Sequence, residues 1–272
     1  MKRCQKARLW TALCLIGLAL LICGTVSADG AVWPSTGKTQ KKSSKLIVDV
    51  SNMNDGYVMA AVNKKNKNKL KLRVIKDGET LTYDLNGNGD FEVFPLQLGN
   101  GKYEISLYEN VSGKKYSQAG KVSISVKLND ENAPFLVPNQ YVHYTALSEA
   151  VEKAMELCAG KSEDEKYQIV CNFMKSAFMY DYVKAVTIKA GQLPDIDGSY
   201  AKKMGVCQDL SAIMVCMLRT QGVPARLIIG YADKNYHAWT TTSVGGEEKF
   251  FDPTAALNAI TQVKSYSMER YY

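Results

Sequence analysis

An α+β protein, in which a small all-β sandwich precedes a domain of helices packed on an antiparallel sheet, is what the sequence predicts. Three observations carry this. Between Leu46 and Leu128 short alternating runs are broken by turn residues at the intervals of a sandwich. From Leu147 to Leu218 the apolar residues recur at helical spacing. Beyond Gly222 the texture returns to strands, so the second half reads helices first and antiparallel strands afterwards, and the 272-residue chain has room for two domains.

Residues 1–28 read as a targeting segment and not as structure. Met1 to Arg8 form a basic n-region, Leu9 to Ile22 an apolar core too short to span comfortably, and Val26-Ser27-Ala28 a small-residue cleavage site. Cys23 matches a lipoprotein box only in outline, because Ile22 stands where a small residue is needed. Secretion to the outside or the cell surface is the expectation, with no stable membrane span once the segment is removed. Residues 29–45 read as a flexible basic linker, Ser/Thr/Lys-rich from Ser35 to Lys45.

The sandwich, residues 46–128, is expected to hold strands at Leu46 to Ser51, Tyr57 to Val62, Leu70 to Lys76, Thr80 to Asp84, Asp90 to Pro95, Gly101 to Glu109 and Lys121 to Lys127. Leu70, Leu72 and Val74 alternate with Lys71, Arg73 and Ile75, as when one face packs and the other is mostly wet. The spacing suggests an accessory domain of the immunoglobulin-like kind. Asp84 to Asp90 reproduces the first half of a calcium loop, but the twelfth position is Pro95 and strands flank it, so a hairpin turn is the expected reading. Residues 129–138 form a polar linker.

The second domain, 139–272, opens with Leu147, Val151, Ala154, Met155 and Cys158 at helical spacing, stopped by Gly160. Ser162 with Glu165 is a capping box for a helix carrying Ile169, Val170, Phe173, Met174 and Ala177. Leu210, Ile213, Met214, Met217 and Leu218 line one face of a third helix, ended by Gly222 and Pro224. Strands follow at Ala225 to Tyr231, His237 to Thr242 and Lys249 to Asp252.

Charge and cysteine content exclude several classes. The net charge is +7, but four of the 34 cationic residues belong to the targeting segment, so 30 face 27 acidic ones and the remaining +3 is too small to argue for nucleic acid. Of seven cysteines, Cys4, Cys14 and Cys23 lie in that segment. Cys158 and Cys171, on consecutive helices, could be bridged, although a core this large needs no disulfide. Cys216 sits half a turn around its helix from Cys207 and is expected in the core. Neither a Cys-x-x-Cys nor a paired-His spacing is present, so no metal and no cofactor are expected.

Chemistry concentrates in Cys207, His237 and Asp252. Cys207 follows Gly205-Val206 at a helix N-terminus, where the backbone dipole favours a thiolate. His237 and Asp252 lie on consecutive strands, whose pairing would bring imidazole and carboxylate together. Taken alone, each has an ordinary reading as a core thiol, a packed histidine or a turn former before Pro253. Ordered together, they read as a nucleophile, a general base and acid, and an orienting acid.

Gly205-Val206-Cys207, the helix through Arg219, Gly222-Val223-Pro224-Ala225-Arg226, Tyr236-His237-Ala238-Trp239 and Asp252-Pro253-Thr254 resemble, in that order, the core of the transglutaminase-like superfamily. The resemblance covers about residues 139–272 and implies a papain-like fold with a Cys-His-Asp triad. It extends over cross-linkers, peptidases, amidases and inactive relatives, so it implies the constellation and leaves the substrate open. By analogy with papain-like sites, Gln192, Tyr200 and Gln208 are oxyanion or groove candidates beside the Cys207 amide, and Trp239 would shield His237. The expected function is cleavage of peptide or side-chain amide bonds through a thioester on Cys207, with hydrolysis favoured over cross-linking and a protein or peptide as partner, cell-wall peptide included. The alternative is a non-enzymatic cell-surface binding module with a relic triad.

Overall fold

Alternating apolar residues build the first half as two facing sheets. In the computed structural model, which describes residues 37–260 and 263–272, the strands run β1 (Gln40–Ser43), β2 (Leu46–Asp49), β3 (Tyr57–Val62), β4 (Leu70–Lys76), β5 (Glu79–Leu85), β6 (Glu92–Pro95), β7 (Gly101–Ser112) and β8 (Lys115–Val126). They form antiparallel sheets in the orders β1-β2-β3-β6 and β5-β4-β7-β8. Leu46, Val48, Val58 and Phe94 of one sheet are buried in the same core as Leu70, Leu72, Val74 and Ile105 of the other. Residues 1–36, on which the expected targeting segment, its cleavage site and the start of the expected linker fall, lie outside the described residues.

Three expectations change here. Gln40–Ser43, expected within a flexible linker, is an edge strand paired with β2, and its lysines suit an edge that must not recruit another chain. The β7–β8 hairpin runs on to a turn at Gly113 and Lys114, because Ser, Asn, Lys and Tyr in those positions gave no apolar alternation to read. Asp84 to Asp90 is not a hairpin turn. It crosses from β5 in one sheet to β6 in the other, closed by Asn86 and Asn88 side chains that accept from the backbone amides of Asn88 (3.1 Å) and Asp90 (3.0 Å).

All six residues of β3 are buried, so both of its faces are covered. Its outer Tyr57 and Met59 pack on Val137 from the stretch expected as a polar linker, in which Pro134 and Phe135 are also buried.

The second half contains α1 (Glu149–Cys158), α2 (Glu163–Ala177), β9 (Met179–Tyr180), α3 (Tyr182–Thr187), α4 (Ile196–Lys202), β10 (Met204–Gly205), α5 (Cys207–Arg219), β11 (Ala225–Ala232), β12 (Asn235–Val244), β13 (Glu247–Phe251), α6 (Pro253–Ala256) and β14 (Tyr266–Tyr271). The sheet order is β13-β12-β11-β14, all antiparallel, with β9 and β10 a separate two-residue parallel pair. The fold is α+β. Ser162 and Glu165 form the capping box, Ser162 N donating to Glu165 Oε2 at 2.9 Å. On α1 only Ala150, Val151, Ala154 and Cys158 are buried. Leu147 and Met155 are exposed, because helical spacing alone does not say how wide a stripe the neighbours will cover.

α5 departs most from an amphipathic reading. Every residue from Asp209 to Arg219 is buried, since α1, α2 and α4 cover one side and the sheet the other. Even Arg219 is 3% exposed. Its Nε donates to Ala225 O (2.9 Å), Nη1 to Val137 O (2.7 Å) and Nη2 to Tyr272 O (2.8 Å). Burial pulls its pKa down to about 10, which leaves it charged at neutral pH. Tyr272 stacks on Tyr141 at 3.6 Å between centroids and meets Tyr83 edge-on, so one core runs from the sandwich into the second half.

Replacing Arg219 by Met would keep the apolar stem and remove three buried hydrogen bonds, with Tyr272 O keeping only the one from Leu227 N. Urea unfolding should show a loss of about 3 kcal/mol or more.

Candidate active site

The thiol is presented by a tight entry into α5. At Gly205 a Cβ would lie 2.8 Å from that of Asp209, so the turn admits no larger residue without movement. Val206 is the extended N-cap and Cys207 opens the first turn. Asp209 is fully buried and accepts from Val206 N and Asp195 N at 3.0 Å each, and it pairs with Lys184 Nζ at 2.8 Å. It is therefore more than the first-turn carboxylate its position suggests. It binds the preceding segment, residues 181–206, to the helix that carries the thiol.

His237 lies on β12 opposite Gly230 of β11, and β12 pairs with β13, which ends at Phe251. Asp252 leaves the ladder there and caps α6, its Oδ1 accepting from Thr254 N (2.8 Å) and Ala255 N (3.1 Å). Its Oδ2 lies 2.9 Å from His237 Nε2 and accepts from the Tyr266 hydroxyl at 2.8 Å. Nε2 is thus committed to the carboxylate, and Nδ1 is left for the Cys207 thiol, to which the imidazole also hydrogen-bonds.

The electrostatics follow from these contacts. Burial alone would lower the His237 pKa, but hydrogen bonds to Asp252 and Cys207 and their charges outweigh it and raise it to about 9. For Asp252, burial acts upward and is outweighed by His237 and Tyr266, so the carboxyl sits below its ordinary value. The other described thiols are different. Cys158, Cys171 and Cys216 are free and buried, and burial pushes each upward, Cys171 to about 11. Cys158 and Cys171, which could have been bridged, are not.

Trp239 is buried and stacks on His237 with 6.3 Å between centroids and 22° between planes, and Tyr266 meets its edge at 5.1 Å. The two rings close the imidazole–carboxylate bond from water. The remaining candidates sit elsewhere. Tyr200 points away from the thiol, packing on Phe173 and Phe178 beneath the Lys203 ammonium. Gln192 is exposed and uses its main-chain carbonyl to accept from Gln208 Nε2 at 3.0 Å, which spends the Gln208 donor on the segment instead of on an oxyanion.

Two residues went unread in the sequence. Tyr266 belongs to β14, whose Tyr-Ser-Met-Glu-Arg-Tyr pattern is a weak strand signal. Tyr180, in the two-residue β9, lies close enough to the thiol that burial and the Cys207 charge raise its pKa to about 12.

Residues 151–249 match the model of the transglutaminase-like superfamily and form a transglutaminase-like domain. The match spans Cys207 and His237, ends at Lys249 short of Asp252, and is narrower than the resemblance read from the sequence motifs. No curated protein matches the chain. Among solved structures, a candidate cysteine protease from Cytophaga hutchinsonii is 15% identical with a TM-score of 0.40, covering 86% of this chain and 90% of its own. A candidate protease from Parabacteroides distasonis is 11% identical with a TM-score of 0.34, covering 76% and 62%. The red sea bream transglutaminase is 14% identical with a TM-score of 0.31, covering 73% and 48%.

His237 and His143 are the two histidines of the chain, so one titrating ring can be followed by NMR. In the folded protein His237 should titrate near 9, and Asp252→Asn should move it downward. Because the folded pKa lies above the unfolded value of about 6.5, the stabilisation is full below pH 6.5 and is lost as pH rises through 9. Unfolding free energy should fall across that window in the parent and stay flatter in His237→Gln, by up to about 3 kcal/mol. Tyr266→Phe removes one donor from Asp252 without opening a cavity. The His237 titration should then shift by less than in Asp252→Asn, with the fold unchanged by circular dichroism.

Proposed function

We propose that this is a secreted or cell-surface thiol enzyme that cleaves peptide or side-chain amide bonds through a thioester on Cys207. One observation carries the reading: His237 is held by Asp252 through Nε2 while it bonds the thiol at the N-terminus of a buried helix. His237, whose raised pKa keeps it protonated at neutral pH, holds the proton given up by Cys207 as an imidazolium, and the thiolate attacks the amide carbonyl. The Cys207 backbone N–H, unpaired within the helix at its first turn, is placed to donate to the oxyanion. Collapse of the tetrahedral intermediate forms the thioester and breaks the C–N bond, and the His237 proton leaves with the amine or ammonia. Water, deprotonated by His237, then releases the acid and restores the thiol.

Hydrolysis is favoured over cross-linking because Cys207 is only partly buried, so water reaches the thioester. The acyl substrate is a protein or peptide, with cell-wall peptides included, and export rests on the basic, apolar and small-residue order of residues 1–28.

The deciding experiment is the pH dependence of iodoacetamide labelling, with the labelled cysteine identified by mass. Cys207 should label ahead of the buried Cys158, Cys171 and Cys216, and His237→Ala should slow it by about tenfold or more. Sluggish labelling indifferent to His237 would point instead to a binding module with a relic triad.

A further inference from the structure

Helix α3 wears its residues the wrong way round. Tyr182, Val183 and Val186 stand in water at 64%, 75% and 84% exposure, and helical geometry puts all three within an arc of about 100°. Lys184, the one charged residue of α3, falls on the opposite side, where its ammonium lies 2.8 Å from the buried Asp209 carboxylate. A helix of a soluble fold ordinarily buries its apolar stripe and wets its charges, so packing alone does not account for this ridge. The ridge is also held in place. Asp181 caps the helix, its Oδ1 accepting from Lys184 N at 2.7 Å, while Asp181 N donates to Gly205 O at 3.0 Å.

Its position is a second observation, independent of its composition. Tyr180 stands opposite Gly205 in the β9–β10 pair, two residues before Cys207 along the chain, and the Cys207 charge reaches its hydroxyl. The Tyr180 ring meets the Tyr182 ring edge-on, with 5.0 Å between centroids. An apolar strip thus leads from the side of the thiol over Tyr180 and Tyr182 to the two valines.

Size and charge select what covers it. Six helical residues span about 9 Å and present on the order of 100 Å² on one face. Each partner of a stable complex buries about 800 Å², so a second copy would find too little to hold. With Lys184 bound to Asp209, α3 offers no free cation to an anionic lipid surface. The strip is the size of one or two side chains belonging to a molecule already held at Cys207. Resting on the catalytic reading above, we infer that α3 is the specificity-determining surface of the site, receiving an aromatic or branched aliphatic side chain of the substrate within about three residues of the amide that Cys207 attacks. Polar side chains there would leave the ridge wet, so the site selects apolar sequence beside the reacting bond.

The test alkylates Cys207 in the full chain with iodoacetamide and with N-(2-phenylethyl)iodoacetamide, which carries a ring about two extended residues from the sulfur. Each rate is divided by that of the same reagent on glutathione, and the labelled cysteine is identified by mass. The phenylethyl reagent should react about tenfold faster on this normalised scale. Tyr182→Ser with Val183→Thr and Val186→Thr, close in helix propensity to the residues replaced, should bring the preference to within about twofold. A ratio of two reagents is read, so any change in the thiol itself cancels. Val111→Ser, at an exposed apolar position of β7, should leave the preference in place. A parent without the preference, a triple variant that keeps it, or its loss in Val111→Ser would overturn the inference. So would a dimer in sedimentation velocity, or attachment to phosphatidylglycerol vesicles, that the triple variant abolishes. The two readings fail separately. A sluggish thiol that still prefers the phenylethyl reagent removes only the catalytic reading, and a thiol activated by His237 that shows no preference removes only the role of α3.

Discussion

The buried guanidinium of Arg219 is the interaction on which the arrangement of the molecule depends. A desolvated cation is costly, and three charge-assisted hydrogen bonds offset that cost only while all three carbonyls stay in place. Those carbonyls come from the connecting segment, from the start of β11 and from Tyr272, so a single side chain sets where the sheet lies against α5. At the other end of the same helix the sign is reversed: Asp209 collects Val206 N, Asp195 N and Lys184. With both ends fixed by opposite buried charges, the helix has little freedom to slide or rotate. The distance between a thiol on its first turn and a ring on β12 follows from those two anchors.

The catalytic-type trio was legible because each member announces itself locally. A glycine turn before a helix, a histidine inside an alternating run and an aspartate before proline are features of a few residues, and Asp252 does cap α6 by accepting from Thr254 N and Ala255 N just past Pro253. What surrounds the trio was not legible. Tyr266 reaches Asp252 from a strand that follows α6, and Tyr180 is brought near Cys207 by a two-residue parallel pair with no periodicity to detect. Tyr200 is a candidate by analogy with papain-like sites and Gln208 by its place next to Cys207, whereas α4 turns Tyr200 toward the aromatic cluster behind it. The fold shows the same division. The strands of the sandwich follow their alternation closely, yet β1 was hidden by lysines that suit an edge strand as well as a tether.

The connecting segment belongs to neither half alone. Val137 covers the outer face of β3, its carbonyl holds Arg219, and Phe135 stands under Arg226. A polar composition from Asn129 to Asn132 conceals the buried residues that follow. Two halves joined in this way share one continuous core, so they should lose structure together as a single cooperative unit.

Burying three of the four described thiols also decides what oxidation can do. Cys158, Cys171 and Cys216 are sealed in the core, so none of them can swing out to meet an oxidised Cys207. A sulfenic acid formed there would have no resolving thiol among the described residues, and further peroxide would carry it on to the sulfinic acid. Among the described cysteines, overoxidation would then be a one-way event at Cys207, with the buried thiols left untouched.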